Sequence, residues 1–298
     1  MHADIEGLRP TIHFDAGGKG RIYVADSLSY FYEVVGVNDI AVGASFAGAP
    51  TAAIPLRRGV KGWIAHEGGP GKDQAGISGL PLSQRFGIPA AAIATMTARL
   101  SGGRSLLTGI VAHANKAAAD LGVRAGQTGE QAALLLLNAP PGHPCDIGDL
   151  VDESLHEVSS TAAGKVYACW SFSRVPGPMP GSVFCVASHG AKIMAHYALA
   201  IQPKGVICND AGGGLDHSGT EGLAILDDSG ILGATVSTES ARIGDPLSTY
   251  RDGVISAVNA LAAKCGIQPG MSARDAANRM LLAQGAAVTS NTHSRNIA

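Results

Sequence analysis

The stretch VKGWIAHEGGPGKDQAGISGL, residues 60–80, returns as PKGVICNDAGGGLDHSGTEGL at residues 203–223. With the chain slid against itself by 143 positions, sixteen residues between 61 and 107 equal their partners, among them Lys61, Gly69, Gly71, Asp73, Thr95 and Arg99. Chance would give roughly three or four identities at this composition, so the duplication is read before any local motif. A one-residue slip extends the pairing to Asn115 with Asn259 and Gly122 with Gly266. Upstream, Tyr23 meets Tyr167, Ser27 meets Ser171 and Ser45 meets Ser188. A fused duplicate predicts an α/β chain of two tandem repeats about an approximate dyad, with a pocket at the seam. The predicted boundaries are a first repeat over 1–140, a linker over 141–155 and a second repeat over 156–298. Pro140–Pro144 (PPGHP) and the acidic run that follows mark the linker.

Composition narrows the function classes. Apolar residues make up 46% of the 298 and charged residues 15%, enough for a large core and little enough charge to suggest a homo-oligomer. The net charge is −2 and no Lys/Arg cluster is dense enough to track phosphates, which argues against nucleic acid. Five scattered cysteines without a CxxC support neither a disulfide framework nor a structural zinc site. No apolar leader or membrane span is visible, so the expected setting is cytoplasmic, with no membrane partner.

Each repeat reads as short apolar strands alternating with helices, the pattern of parallel sheets covered on both faces. The first repeat predicts strands at 21–26, 40–45, 62–66 and 89–95, and helices near 49–58, 74–86 and 105–121. The second predicts strands at 165–169, 183–187, 205–209 and 233–237, and helices at 191–201, 217–229 and 247–265. The last residues, 288–298, lack periodicity and read as a frayed tail.

Ligands of open α/β sheets collect beyond the carboxyl ends of the strands, so the polar residues there are the candidates. In the second repeat they are Ser188-His189, Asn209-Asp210, and Glu239 to Arg242 with Asp245; in the first, Ser45, Glu67 and Arg99. His189 faces Phe46 in the repeat alignment, Glu239 faces Met96 and Asp245 faces Gly102, so the second repeat is expected to be the catalytic half. His189 is the candidate for proton transfer, because imidazole titrates near neutrality. Asp210 and its counterpart Glu67 are candidates to orient it or activate water, or else to brace their loops. Ser188 would help stabilise an oxyanion. Arg242 and Arg99, with Asn209, Ser45, Glu239 and Asp245, are candidates for holding substrate, the arginines by bidentate capture of a carboxylate or ureide. Asp73 and Asp216 read as helix caps, and Lys61 and Lys204 as solvated strand starts. No cofactor is implied; a divalent metal on two carboxylates and a histidine stays as an alternative. The glycine loops at 68–71 and 212–214 fit neither a dinucleotide fingerprint nor a P-loop.

Two resemblances bear on the chemistry. Ser188-His189-Gly190 at one strand end and Cys208 at the next resemble the histidine and cysteine of the caspase-like peptidases, which would make Cys208 a nucleophile. Here Asn209-Asp210-Ala211 follow the cysteine and the first repeat offers only Ala65. The architecture, with Ser45/Ser188 and Arg99/Arg242 repeated, is similar to that of the ring-opening amidohydrolases, whose equivalent polar residues surround a small planar substrate on the symmetry axis. That family has three repeats and a lysine beside each serine; this chain has two. The expected function is hydrolysis of a C–N bond in a small polar, anionic amide, cyclic amide or ureide. The alternatives are a lyase or isomerase acting next to a carboxylate, or a non-catalytic binding protein.

Overall fold

Residues 9–31 and 33–283 are described in this computed structural model. The tail expected over 288–298 lies outside the described residues. Two six-stranded sheets run in sequential order. The first comprises β1 (Thr11–Asp15), β2 (Arg21–Ala25), β3 (Ile40–Phe46), β4 (Gly62–His66), β5 (Ala90–Ile93) and β6 (Val111–Ala114). The second holds β7 (His156–Thr161), β8 (Gly164–Cys169), β9 (Val183–His189), β10 (Gly205–Asn209), β11 (Leu232–Val236) and β12 (Ile255–Val258). In each sheet the four middle strands are parallel and the outer ones antiparallel. The α/β fold in two similar halves follows from the sequence repeat.

Side chains alternate across each strand, and both faces are covered. In the first sheet Tyr23, Ala41, Trp63 and Ala92 pack beneath α1 (Ala49–Arg58) and α2 (Gly79–Arg85). Ile22, Val42, Ile64 and Ile93 pack on the other face, under α3 (Gly103–Thr108), α4 (Lys116–Asp120) and α5 (Gly129–Leu136). The second sheet repeats this with α6 (Lys192–Ile201) and α7 (Gly222–Asp228) on one face. Its other face carries α8 (Pro246–Asp252), α9 (Ala260–Lys264) and α10 (Ala273–Leu282).

The helices expected over 105–121 and 247–265 are each interrupted by an antiparallel strand. β6 closes the open edge of β5, with Ala92 opposite His113, and β12 does the same for β11. The alanine-rich sequence hid this, because edge pairing outweighs a modest helix propensity. Asn115 and Asn259 restart the helices. Each side chain accepts the N–H of the third helical residue and of a neighbouring strand start, and donates to a carbonyl (Ile88 O and Ile231 O, both 2.8 Å). The helices expected at 74–86 and 217–229 begin instead as 3-10 turns, Lys72–Ile77 and Leu215–His217.

Lys61 and Lys204 are not the solvated strand starts the sequence suggested. Lys61 is 5% exposed and donates to Lys19 O (2.7 Å) and Leu137 O (3.2 Å); burial lowers its pKa. Lys204 donates to Leu281 O, the equivalent carbonyl of the second repeat. Each lysine therefore ties the start of a central strand to the end of its repeat's last helix.

Candidate functional site

The halves meet about an approximate two-fold axis, since contacts across the seam come in reciprocal pairs. Arg99 reaches Asp216 (2.8 Å) and Glu221 (2.9 Å), and Arg242 approaches Asp73 at 3.6 Å. Lys72 N–H donates to Thr238 O and Leu215 N–H to Ala98 O. Phe46, Ala75 and Leu100 of one half pack with Ala191, Ala211 and Ile243 of the other. Asp73 and Asp216 are thus not helix caps. Both take left-handed backbone (φ 56 and 54), and their carboxylates face the opposite half's arginine.

The carboxylate and amide candidates at neighbouring strand ends brace loops within their own halves. Glu67 accepts from Thr95 N–H (2.9 Å) and Oγ1 (2.8 Å) and pairs with His113 at 2.8 Å. Asp210 accepts from Gly212 N–H and Thr238 N–H, both at 3.0 Å. Buried Asn209 accepts from Ala211 N–H (2.8 Å) and donates to Ala241 O (3.1 Å). Its repeat partner His66 does the same work: Nδ1 accepts Gly68 N–H, so Nε2 carries the proton toward Thr95 O and Ala98 O. Burial lowers the His66 pKa and keeps the ring neutral. Asp245 caps α8 through Ser248 N–H (3.0 Å), and Glu239 is exposed.

Ser45, Ser188 and His189 go elsewhere. Between Gly43 and Phe46, β3 advances three residues while β4 advances one; between Cys185 and His189, β9 advances four while β10 advances two. These paired bulges break the strand alternation and turn the ends of β3 and β9 toward the axis. There Ser45, Ser188 and His189 join Ser27, Ser171 and Trp170 around a cavity of about 30 Å³. The serines are repeat equivalents, so the pocket lies on the dyad. Ser45 Oγ accepts Leu28 N–H (3.0 Å) and lies 3.2 Å from Ser27 Oγ. Ser27 and Ser171 each accept the N–H two residues on.

Asymmetry makes this pocket chemically distinct. His189, 6% exposed, has an Nδ1 with no hydrogen-bond partner among the described residues, and the Trp170 indole N–H is equally orphaned. Buried polar groups are nearly always satisfied, so two such atoms on residues lining one small cavity leave hydrogen-bonding positions there for a water or a polar ligand group. Burial first, and the neighbouring His66 ring second, pull the His189 pKa down to about 3, so the imidazole is neutral. Its counterpart Phe46 fills the seam core.

A second, larger cleft of about 710 Å³ adjoins the pocket, sharing Ser29, Phe172 and Tyr197 with it. Ile54 and Arg57 of α1 form one wall; the segment from Phe172 to Pro178 and the end of α6 form the other. Sequence reasoning passed over Arg57, Arg174 and Trp170. No repeat partner flags them, since Arg57 aligns with Ala200 and Arg174 with Tyr30.

Cys208 does not meet the needs of a nucleophile. It is fully buried in the core beneath α6 and α7, and desolvation holds its thiol far above the usual range. Among the described residues no group of three His, Cys, Asp or Glu side chains could hold a metal. None of their helices is long and apolar enough to cross a membrane. No protein-family model, curated protein or solved structure matches the chain.

Proposed function

We propose that this chain is an enzyme that hydrolyses a C–N bond of a small polar, anionic amide, cyclic amide or ureide held between its repeats. The reading is carried by the dyad pocket, where the orphaned Trp170 indole N–H and His189 Nδ1 share a cavity with Ser188. In this reading the substrate carbonyl accepts from the indole N–H, which stabilises the oxyanion that develops on attack. The attacking oxygen is the Ser188 hydroxyl or a water hydrogen-bonded to neutral His189. A base with a pKa of about 3 is weak, but a substrate anion nearby strengthens the imidazole. Water adds across the scissile bond, leaving a carboxylic acid and an amine.

The low His189 pKa also favours a second reading, a binding protein without turnover. Thermal-shift screening against small amides, cyclic amides and ureides, with mass spectrometry of every hit, separates the two. The enzyme reading expects product from the native chain and at least a hundredfold less from His189→Gln and from Ser188→Ala. Hits that bind but never yield product, or product formed by both variants at the native rate, would sink it.

A further inference from the structure

We infer that the cleft between β7, α8 and α10 binds a phosphate monoester with a small organic body, whose phosphate is received by Arg251 and Arg274. This cleft shares no lining residue with the dyad pocket or with the larger cleft beside it, and it stands independently of the hydrolase reading.

Leu247, Tyr250 and Arg251 stand at helical spacing on α8, so one face of that helix supplies the first wall. Arg274, the second residue of α10, supplies the next, and the edge strand β7 closes the third with His156, Glu157 and Val158. The volume is about 550 Å³, within the range of small-molecule sites. The acidic side chains around it are already engaged. Glu157 accepts from Lys165 (2.8 Å), Asp152 pairs with His156 (2.7 Å), Asp252 pairs with Lys72 (3.0 Å), and Asp275 accepts from Ser272 at the start of its own helix. Arg251 and Arg274 are exposed, and among the described residues neither has a carboxylate or carbonyl partner. Arg274 instead stands over the ring of buried Tyr250, 5.4 Å from its centroid, a contact that holds the guanidinium at the cleft.

The first repeat shows that the fold does not demand these arginines. Thr128 and Ser272 are equivalent helix caps, so Glu130 of α5 stands where α10 carries Arg274. Glu130 suits the positive end of its helix and pairs with His13 of the edge strand β1 at 2.7 Å, which closes that site. In the second repeat a cation without an acidic partner takes the same position, against the helix dipole. α3, the counterpart of α8, ends in Leu107 and Thr108 and offers no charge there. A carboxylate has two oxygens, which one guanidinium fork saturates; a phosphate monoester presents three, enough for forks arriving from two helices. Half-buried Leu247 and Val158 give its organic body apolar surface beside the charge.

The test is calorimetric titration of the whole chain with phenyl phosphate, phenyl sulfate and inorganic phosphate at neutral pH. Phenyl phosphate is expected to bind about tenfold more tightly than phenyl sulfate, which has the same shape and less charge, and to weaken with added salt. Inorganic phosphate, which leaves Leu247 and Val158 uncovered, should bind about fivefold more weakly than the ester. These comparisons use only the native chain. Arg251→Gln and Arg274→Gln should each weaken the ester about tenfold, and Arg274→Lys, which keeps charge but loses the fork, should recover part of the loss. Lys116→Gln, at an exposed position of the first repeat, should leave ester binding unchanged. No ester binding at millimolar concentration, equal affinity for ester and sulfate, or losses no larger than that of Lys116→Gln would overturn the site. Inorganic phosphate bound as tightly as the ester would overturn the assignment of an organic body.

Discussion

Gly69 and Gly212 touch backbone to backbone across the axis: a Cβ on Gly69 would stand 2.9 Å from the Gly212 Cα, and one on Gly212 2.9 Å from the Gly69 Cα. Both residues have positive φ, +55 and +71. The glycine loops, which match no nucleotide-binding motif in the sequence, are the point where the halves close on each other. Gly69→Ala should therefore incur the left-handed backbone cost and a clash that has no flexible side chain to absorb it, together about 2–4 kcal/mol. Gly87→Ala is the control, with φ +68 and open space around it, and should lose only about 1 kcal/mol. Chemical denaturation of the two variants reads the difference; equal losses would mean the seam tolerates a methyl group there.

The reciprocal ion pairs are struts of low energy. Arg99 and Asp216 are 32% and 65% exposed, so a double-mutant cycle with Arg99→Gln and Asp216→Asn should give a coupling below about 1 kcal/mol. The Arg242–Asp73 pair, at 3.6 Å, should give less. A coupling above about 2 kcal/mol at either would show that the seam depends on charge more than on its packed core.

Acid should destabilise the protein through His189. Its pKa is near 6.5 unfolded and about 3 folded, so below pH 6.5 the unfolded chain takes up a proton that the folded chain refuses. Stability is then complete above pH 6.5 and falls as the pH drops toward 3, at up to about 1.4 kcal/mol per pH unit for this one group. His66, lowered in the same direction, adds to the slope. Melting temperatures of the native chain and His189→Asn between pH 7.5 and 4.5 should converge as the pH falls. Parallel curves would mean that the imidazole is protonated in the folded state.

Thiol chemistry should follow burial. Cys145, Cys169, Cys185 and Cys208 are buried and Cys265 is partly exposed. Desolvation pushes Cys169 up to about 12 and holds Cys208 well above the usual thiol range. An aromatic disulfide reagent should titrate about one thiol in the folded protein, assigned to Cys265, and all five after denaturation. Rapid modification of Cys208 in the folded chain would return it to consideration as a nucleophile.

The repeat made the architecture legible. Sixteen identities at one offset are enough to say that whatever the first half does, the second does again, and β3, β4, α1 and β10 fall where apolar runs and glycines place them. The antiparallel edges formed by β6 and β12 were not legible, because a four-residue strand inside an alanine-rich helical pattern is decided by the free edge it finds.

The site divided along the same line. Position at a strand's carboxyl end identified Ser45, Ser188 and His189, and the replacement of His189 by Phe46 singled out the second half. The same criterion also selected Glu67, Asp210, Arg99 and Arg242, which brace loops or span the seam. Arg57, Arg174 and Trp170 carried no repeat signal.

By itself, the order of residues determined the doubling, the alternation of strand and helix, and the set of polar groups at the strand ends, because these depend on local periodicity and on internal identity. Only the tertiary structure decided which of those groups face a cavity and which face the other half. That choice is made by two bulges at the ends of β3 and β9 and by a glycine-to-glycine contact on the axis, long-range geometry that single-residue chemistry does not encode.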